Sequence, residues 1–240
     1  LGTARVGKRM RALGFDSHRA YLCHVRDDES GEEVVHLLNA ISTNVTSFFR
    51  EPDHFAFLTD RLREWHDQGQ KRFRMWSAAC SSGEEPYSLA ITMQETFGER
   101  NGVDARILAT DICTQVLEKS LEGRYPETKV EPVSEPLLKK YFERARDGES
   151  VSYVVRPPLR QKIVFRRLNL SQPPFPMHGP LDAILCRNVM IYFNNETRKR
   201  LLDEMYRLLK PGGFLFVGHA ESLTGMMSEF KTVRPSIYRK

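Results

Sequence analysis

The segment Trp76-Ser77-Ala78-Ala79-Cys80-Ser81-Ser82-Gly83-Glu84-Glu85-Pro86-Tyr87-Ser88 has the residue types and spacing of a ligand-binding turn that leads into a helix. Small side chains let the backbone approach a ligand closely, and a helix that starts at Glu84 aims its first N–H groups outward. In dinucleotide folds such a turn cradles a diphosphate. Here Glu84 and Glu85 stand in the first helical turn, where they complement the helix dipole but repel phosphate. The ligand that fits presents a cation, such as the ammonium of a methionyl group; alternatively the two acids only stabilise the helix start. Asp111 follows 28 residues after Gly83, the position from which an acid at a strand's end accepts hydrogen bonds from ribose hydroxyls. A lone Asp there is also a common helix N-cap. Joined to the preceding turn, it specifies a nucleoside without a diphosphate.

These residues need a sheet to present them. From Phe73 onward, short apolar runs alternate with helical patterns, the signature of a parallel sheet covered on both faces. Strands are expected at Phe73 to Ala79, Ile107 to Thr110, Leu181 to Cys186 and Phe214 to Val217. Helices are expected from Glu84 to about Phe97 and from Gln115 to Leu121. A further helix carries Leu201, Leu202, Met205, Leu208 and Leu209 on one side and stops at Lys210-Pro211-Gly212-Gly213. Between about 123 and 168 the rhythm breaks. Pro126, Pro132 and Pro136 precede an alternating run, Ser152 to Arg156, and then Ile163-Val164-Phe165, with turn chemistry at Arg146-Asp147-Gly148-Glu149. We read this as a small β-rich insertion, a natural place for specificity.

Residues 1 to 40 read as helices, with Val6, Met10 and Leu13 on one face and Arg5, Lys8 and Arg9 on much of the opposite one. The boundary with the main domain falls near Phe48, giving a helical subdomain and linker at 1–47 and the main domain at 48–240. The net charge is +5 and its excess is concentrated at the start of the chain, which suits an acidic partner, either a helical protein or a nucleic acid. A solvated helix face is the plainer reading. Cys23, Cys80, Cys113 and Cys186 lie far apart, without zinc-ligand spacing; no metal is expected, and a reducing cytoplasm fits. No apolar run approaches the roughly 18 residues of a membrane span.

The chain resembles the CheR family of chemotaxis receptor glutamate methyltransferases. The matching stretches include Thr43-Asn44-Val45-Thr46-Ser47-Phe48-Phe49-Arg50-Glu51, Trp76 to Ser88, Ala109-Thr110-Asp111-Ile112, Asn169-Leu170, Asp182 to Phe193, Leu209 to Gly213 and Gly218-His219-Ala220-Glu221-Ser222. They run in order across most of the chain. The resemblance implies an α/β fold: a Rossmann-like class I sheet dependent on S-adenosylmethionine, with an N-terminal helical subdomain and a small antiparallel β-subdomain. It implies that Asn44, Thr46, Arg50, Ala79, Glu84, Asp111, Asn169, Leu170, Arg187 and Asn188 line the cofactor site. Glu84 is preferred to Glu85 for direct contact, and Arg50 and Tyr192 are placed nearest the reacting sulfonium. The family's helical subdomain is usually longer than the one here, so this one is expected to be truncated.

The implied reaction is methylation of glutamate carboxylates on a receptor's cytoplasmic helical bundle, docked through Arg5, Lys8 and Arg9 and in some members through a receptor C-terminal peptide on the β-subdomain. A glutamate with an ordinary pKa near 4.3 is already a nucleophile at neutral pH and needs no general base, so His54 and His219 are left as structural or surface residues. The rival readings are a methyltransferase for a small molecule or RNA, and a cofactor-binding scaffold without catalysis. Interleaved basic and aromatic residues would favour RNA, and no such array is present.

Overall fold

The apolar runs of the main domain assemble into one seven-stranded sheet because its central strands have too little polar surface to face water on either side. The computed structural model describes residues 2–41, 44–98, 102–148, 150–223 and 228–240; the side chains of residues 2–5 and 147 are outside the description. The sheet contains β1 (Arg72–Ser77), β2 (Asp104–Asp111), β6 (Ile163–Arg167), β7 (Leu181–Cys186), β8 (Leu209–Val217), β9 (Lys231–Arg234) and β10 (Ile237–Arg239), in the order β6-β2-β1-β7-β8-β10-β9. The first five of these in the order run parallel, and β10 and β9 close the edge antiparallel. All six residues of β7 are buried, as a central parallel strand requires. The chain builds outward from β1 through β2 to β6 and then returns to β7. A crevice therefore opens at the carboxyl ends of β1 and β7, where the winding reverses.

Helices α4 (Pro52–Asp67) and α5 (Glu84–Phe97) cover one face, with Phe57, Leu58, Leu62, Leu89 and Ile91 in its core. Helix α10 (Asn195–Leu208) covers the other through Leu201, Leu202, Met205 and Leu208. It starts at Asn194, whose side-chain oxygen accepts the Thr197 N–H at 2.9 Å. It ends one residue before the expected Leu209, which already belongs to β8. Helix α6 (Thr114–Glu122) follows β2.

The insertion forms a separate antiparallel sheet ordered β3 (Arg124–Pro126), β5 (Ser150–Val155), β4 (Phe142–Asp147), with the short helices α7 (Glu127–Val130) and α8 (Glu135–Tyr141) between β3 and β4. Strands β4 and β5 pair from Phe142↔Val155 to Asp147↔Ser150, around the segment expected to turn. The expected insertion reached to about 168, but its last apolar run does not belong to this sheet. After the one-turn helix α9 (Pro157–Arg160), Ile163-Val164-Phe165 pairs with β2 instead, and burial of Ile163 and Phe165 in the main core is what draws it there.

At the N-terminus, α1 (Gly2–Ala12), α2 (His18–Asp27) and α3 (Glu32–Ile41) enclose Val6, Met10, Tyr21 and Val25. Leu13, expected on this apolar face, is exposed, because α1 ends before it and the chain turns at Gly14. Asn39 of α3 donates to Thr114 Oγ1 at 3.3 Å, which ties the helical layer to the start of α6. Among the described residues, no helix is long and apolar enough to cross a membrane.

Candidate functional site

Beyond β1 the chain makes the tight turn anticipated from its small residues. Ser81 and Gly83 both take positive φ, 48° and 96°. A Cβ on Gly83 would lie 2.7 Å from Tyr125 Oη, so only glycine fits where the insertion presses on this turn. Tyr125, from β3, donates to Ser82 O at 2.7 Å. Asp111 closes the other side. Its Oδ2 accepts the Ser81 N–H at 2.8 Å and its Oδ1 the Cys113 N–H at 3.0 Å. Each carboxylate oxygen keeps a lone pair for a ligand hydroxyl. Burial pushes the Asp111 carboxyl above the usual range, against the backbone N–H groups that favour its ionised form.

A cavity of about 340 Å³ opens beside this turn, within the range of small-molecule sites. Its walls bring together Asn44, Thr46, Arg50, Ala79, Asp111, Asn169, Leu170, Arg187, Asn188 and Tyr192, residues drawn from five separate stretches of the chain. Glu84 stands apart from these. It does not line the cavity, and Glu85 does. Adjacent helical positions point about 100° apart, and the buried Glu84 carboxylate turns toward the insertion, where Ser82 Oγ donates to it at 2.6 Å and Lys129 Nζ stands 3.3 Å away.

Arg187, just past the end of β7, lines the cavity and also braces the elements around it. Its side chain is 2 % exposed and sits between two acids. Nε donates to Glu85 Oε2 at 2.7 Å, and Nη1 donates to Arg50 O at 2.5 Å and lies 3.3 Å from Glu51 Oε2. Arg187 thus joins the start of α5 to the segment that carries Arg50. That segment is bent by left-handed residues at Phe49 and Glu51, φ 51° and 56°. It is also held by the Phe49 N–H donating to Ser88 Oγ at 2.9 Å and by Lys129 Nζ donating to Thr46 O at 3.2 Å. Arg50 itself spends one donor on Val45 O at 3.0 Å. With Glu85 paired to Arg187 and to the Ser77 hydroxyl, the acid pair at the helix start is compensated internally rather than left to repel an anion.

Several lining residues carried no signal in the sequence. Leu38 and Ile41 come from α3, so the N-terminal helices supply part of the wall. Their contribution is decided by how α3 docks on α6. His54 is buried and held neutral, its pKa lowered to about 4 by burial and by the neighbouring Arg187. Glu51, His54 and His219 each bring one potential ligand atom within 4.8 Å of the others. The Arg187 guanidinium, 3.4 Å from His54 Nδ1, already supplies positive charge there.

The residues fit S-adenosylmethionine. Asp111 offers acceptors for two ribose hydroxyls, and Ile112, Leu168, Leu170 and Phe193 add an apolar wall suited to a base. Residues 44–238 match the family described as "CheR methyltransferase, SAM binding domain", and residues 3–42 match "CheR methyltransferase, all-alpha domain". The chain is 40% identical to chemotaxis protein methyltransferase 2 of Pseudomonas aeruginosa, covering 98% of this chain and 82% of that protein. It is 38% identical to the chemotaxis protein methyltransferase of Salmonella typhimurium and 37% identical to that of Escherichia coli, in each case covering 98% of this chain and 80% of the relative. With both family matches and these relatives spanning nearly its whole length, and with a cavity at the switch point of its sheet, the chain belongs to the CheR methyltransferase family and is an S-adenosylmethionine-dependent methyltransferase.

Proposed function

We propose that this enzyme esterifies glutamate side chains on the cytoplasmic helical bundle of a chemoreceptor, giving methyl esters and S-adenosylhomocysteine. The observation that carries the reading is the cavity that holds Asp111 in one wall and Arg50 and Tyr192 in others, so that one ligand can be gripped by its ribose while its reactive end faces an arginine. The cofactor supplies an electrophilic methyl group on a sulfonium. Asp111 holds the nucleoside, and Asn44, Asn169 and Asn188 add polar contacts around it. Arg50 orients the incoming carboxylate through its planar guanidinium. Tyr192, 60% exposed on the 3₁₀ turn Met190–Tyr192, positions the acceptor at the mouth. The acceptor is already ionised at neutral pH, so no base is required, and catalysis is alignment of oppositely charged partners. With such an acceptor the enzyme works in the cytoplasm.

Incubation with labelled S-adenosylmethionine and receptor cytoplasmic fragments is expected to give a label that alkali releases as methanol; an alkali-stable product would point to another acceptor. In the same assay Arg50→Ala should lower turnover about 100-fold and Tyr192→Phe about tenfold, from charge-assisted and neutral hydrogen bonds worth about 1–3 kcal/mol. Parent-like rates in both variants would remove these two residues from the mechanism.

Docking through the N-terminal helix supports a narrower set of residues than the sequence suggested. Arg9 donates to both oxygens of Glu33, at 3.0 and 2.6 Å, and Tyr21 Oη donates to the same carboxylate at 2.7 Å. Arg9 therefore braces the bundle, whereas Lys8 is exposed; the side chain of Arg5 lies outside the described residues. Lys8→Glu should raise the KM for receptor, with the effect shrinking as salt rises from 0.05 to about 0.5 M. A KM that ignores both the substitution and the salt would defeat electrostatic docking at this face. The β-subdomain's capture of a receptor peptide stays a separate part of the proposal, to be read by titrating such peptides.

A further inference from the structure

We infer that Glu221 is a positioning residue for methyl transfer, a buried carboxylate outside the cavity that sets the shape of the loop bearing Asn188 and Tyr192. The inference rests on the site proposed above and deepens it. Glu221 is 6 % exposed and lies in the segment after β8, where it is not part of the cavity wall. Its Oε2 accepts the Asn188 N–H at 2.6 Å and the Gly218 N–H at 2.8 Å, and its Oε1 accepts the Ile191 N–H at 3.2 Å. Among the described residues no cation lies within ion-pair distance of it. A buried carboxylate satisfied by main-chain donors alone is a strong constraint on those donors, since removing it deprives three N–H groups of their acceptor, the buried Gly218 N–H among them.

The three donors are spread over both loops at this end of the sheet. Asn188 follows the end of β7 in a left-handed conformation, φ 59°, which a non-glycine residue holds only where its surroundings require it. Ile191 sits within the 3₁₀ turn that ends at Tyr192. Gly218 follows β8, and a Cβ there would lie 2.3 Å from Asn188 Nδ2, so the two loops meet with no slack. One side chain therefore clamps the strained Asn188 peptide, the turn presenting Tyr192, and the neighbouring strand end. Arg198 Nε steadies the turn from its other side by donating to Met190 O at 2.8 Å.

Glu221→Gln tests this, because a glutamine has one acceptor oxygen and turns an NH₂ toward at least one of the three N–H donors. Turnover should fall about tenfold, with amide exchange accelerated at Asn188 and Ile191 and the thermal midpoint moved by only a few degrees. Glu221→Ala should fall about 100-fold or more. The control is Glu204→Gln, which alters another buried acid that accepts a backbone N–H, from Phe175 at 2.9 Å, but lies on α10 away from the cavity. Parent-like turnover and exchange in Glu221→Gln, or equal losses in the Glu204 variant, would overturn the inference. Failure of the parent chain to form an alkali-labile ester would count against the glutamate acceptor instead, and the exchange rates would still decide the role of Glu221.

Discussion

Replacing Arg187 with methionine should lower the unfolding free energy by about 3–5 kcal/mol, because it leaves buried carboxylates without their cation. The guanidinium is the shared partner of Glu85 at 2.7 Å and Glu51 at 3.3 Å, with the Arg50 carbonyl at 2.5 Å. Arg187 thereby joins β7's end to two distant parts of the chain, the start of α5 and the Arg50-Glu51 segment, so the loss is felt both as instability and as slack in the segment that carries Arg50. Chemical denaturation measures the first effect. Titration with S-adenosylhomocysteine measures the second, and we expect at least tenfold weaker binding. The double variant Arg187→Met/Glu85→Gln should recover a good part of the lost stability, since it removes the stranded charge as well as its partner. A single-variant loss under about 1 kcal/mol would mean that water or His54 rearranges to compensate, and would demote Arg187 from clamp to ordinary wall residue.

The second large effect is on affinity. Asp111→Ala should weaken S-adenosylhomocysteine binding by about 100-fold to 1,000-fold, the loss of two hydrogen bonds from ribose to a charged acceptor together with the support of the Ser81 and Cys113 N–H groups. Asp111→Asn should fall between the two, since it keeps one acceptor oxygen and presents a donor where the other stood. Asp182 provides the contrast. It is also a buried aspartate that accepts a backbone N–H, from Arg74, and it pairs with Lys210 at 2.7 Å. It lies at the amino end of β7, however, away from the crevice. Asp182→Asn should cost stability while leaving binding unchanged. If calorimetry found both variants equally impaired, or neither, the carboxyl-end cavity would lose its claim to the nucleoside.

The contrast between Glu84 and Glu85 marks how far residue types and spacing carry. The small-residue turn, its position before a helix and the acid ending β2 were all legible, because they are local: they depend on the backbone freedom of glycine and on where a strand must stop. Which of two adjacent acids faces the cavity was not legible. That depends on the rotation of α5 about its axis, which is set by Leu89, Ile91 and Phe97 packing on the sheet and by Lys129 arriving from the insertion. Arg9 shows the same limit. A basic helix face can be read from periodicity, but the engagement of Arg9 by Glu33 and Tyr21 is a contact between three helices. Strand β6 was read as an apolar run and given the wrong partner, since two-residue alternation names a strand without naming its neighbour. The antiparallel pair β9 and β10 was not foreseen at all; β9 is exposed throughout and carries no alternation to detect.

By itself, then, the amino-acid order determined the class of the sheet, the turn and acid beside the cavity, and, through motifs spread along the chain, the family. Each of these is written in short stretches where steric freedom, hydrophobic period and charge act within a few residues. Only the tertiary structure decided that Arg187 is a buried clamp, that Glu85 and not Glu84 faces the cavity, that α3 supplies part of its wall, and that Glu221 grips the loop of Asn188 from outside. The contacts behind the Arg187 clamp and the Glu221 grip join residues 30 to 137 positions apart. They exist only after the core has closed, because a buried charge takes whichever partner the packing brings within reach.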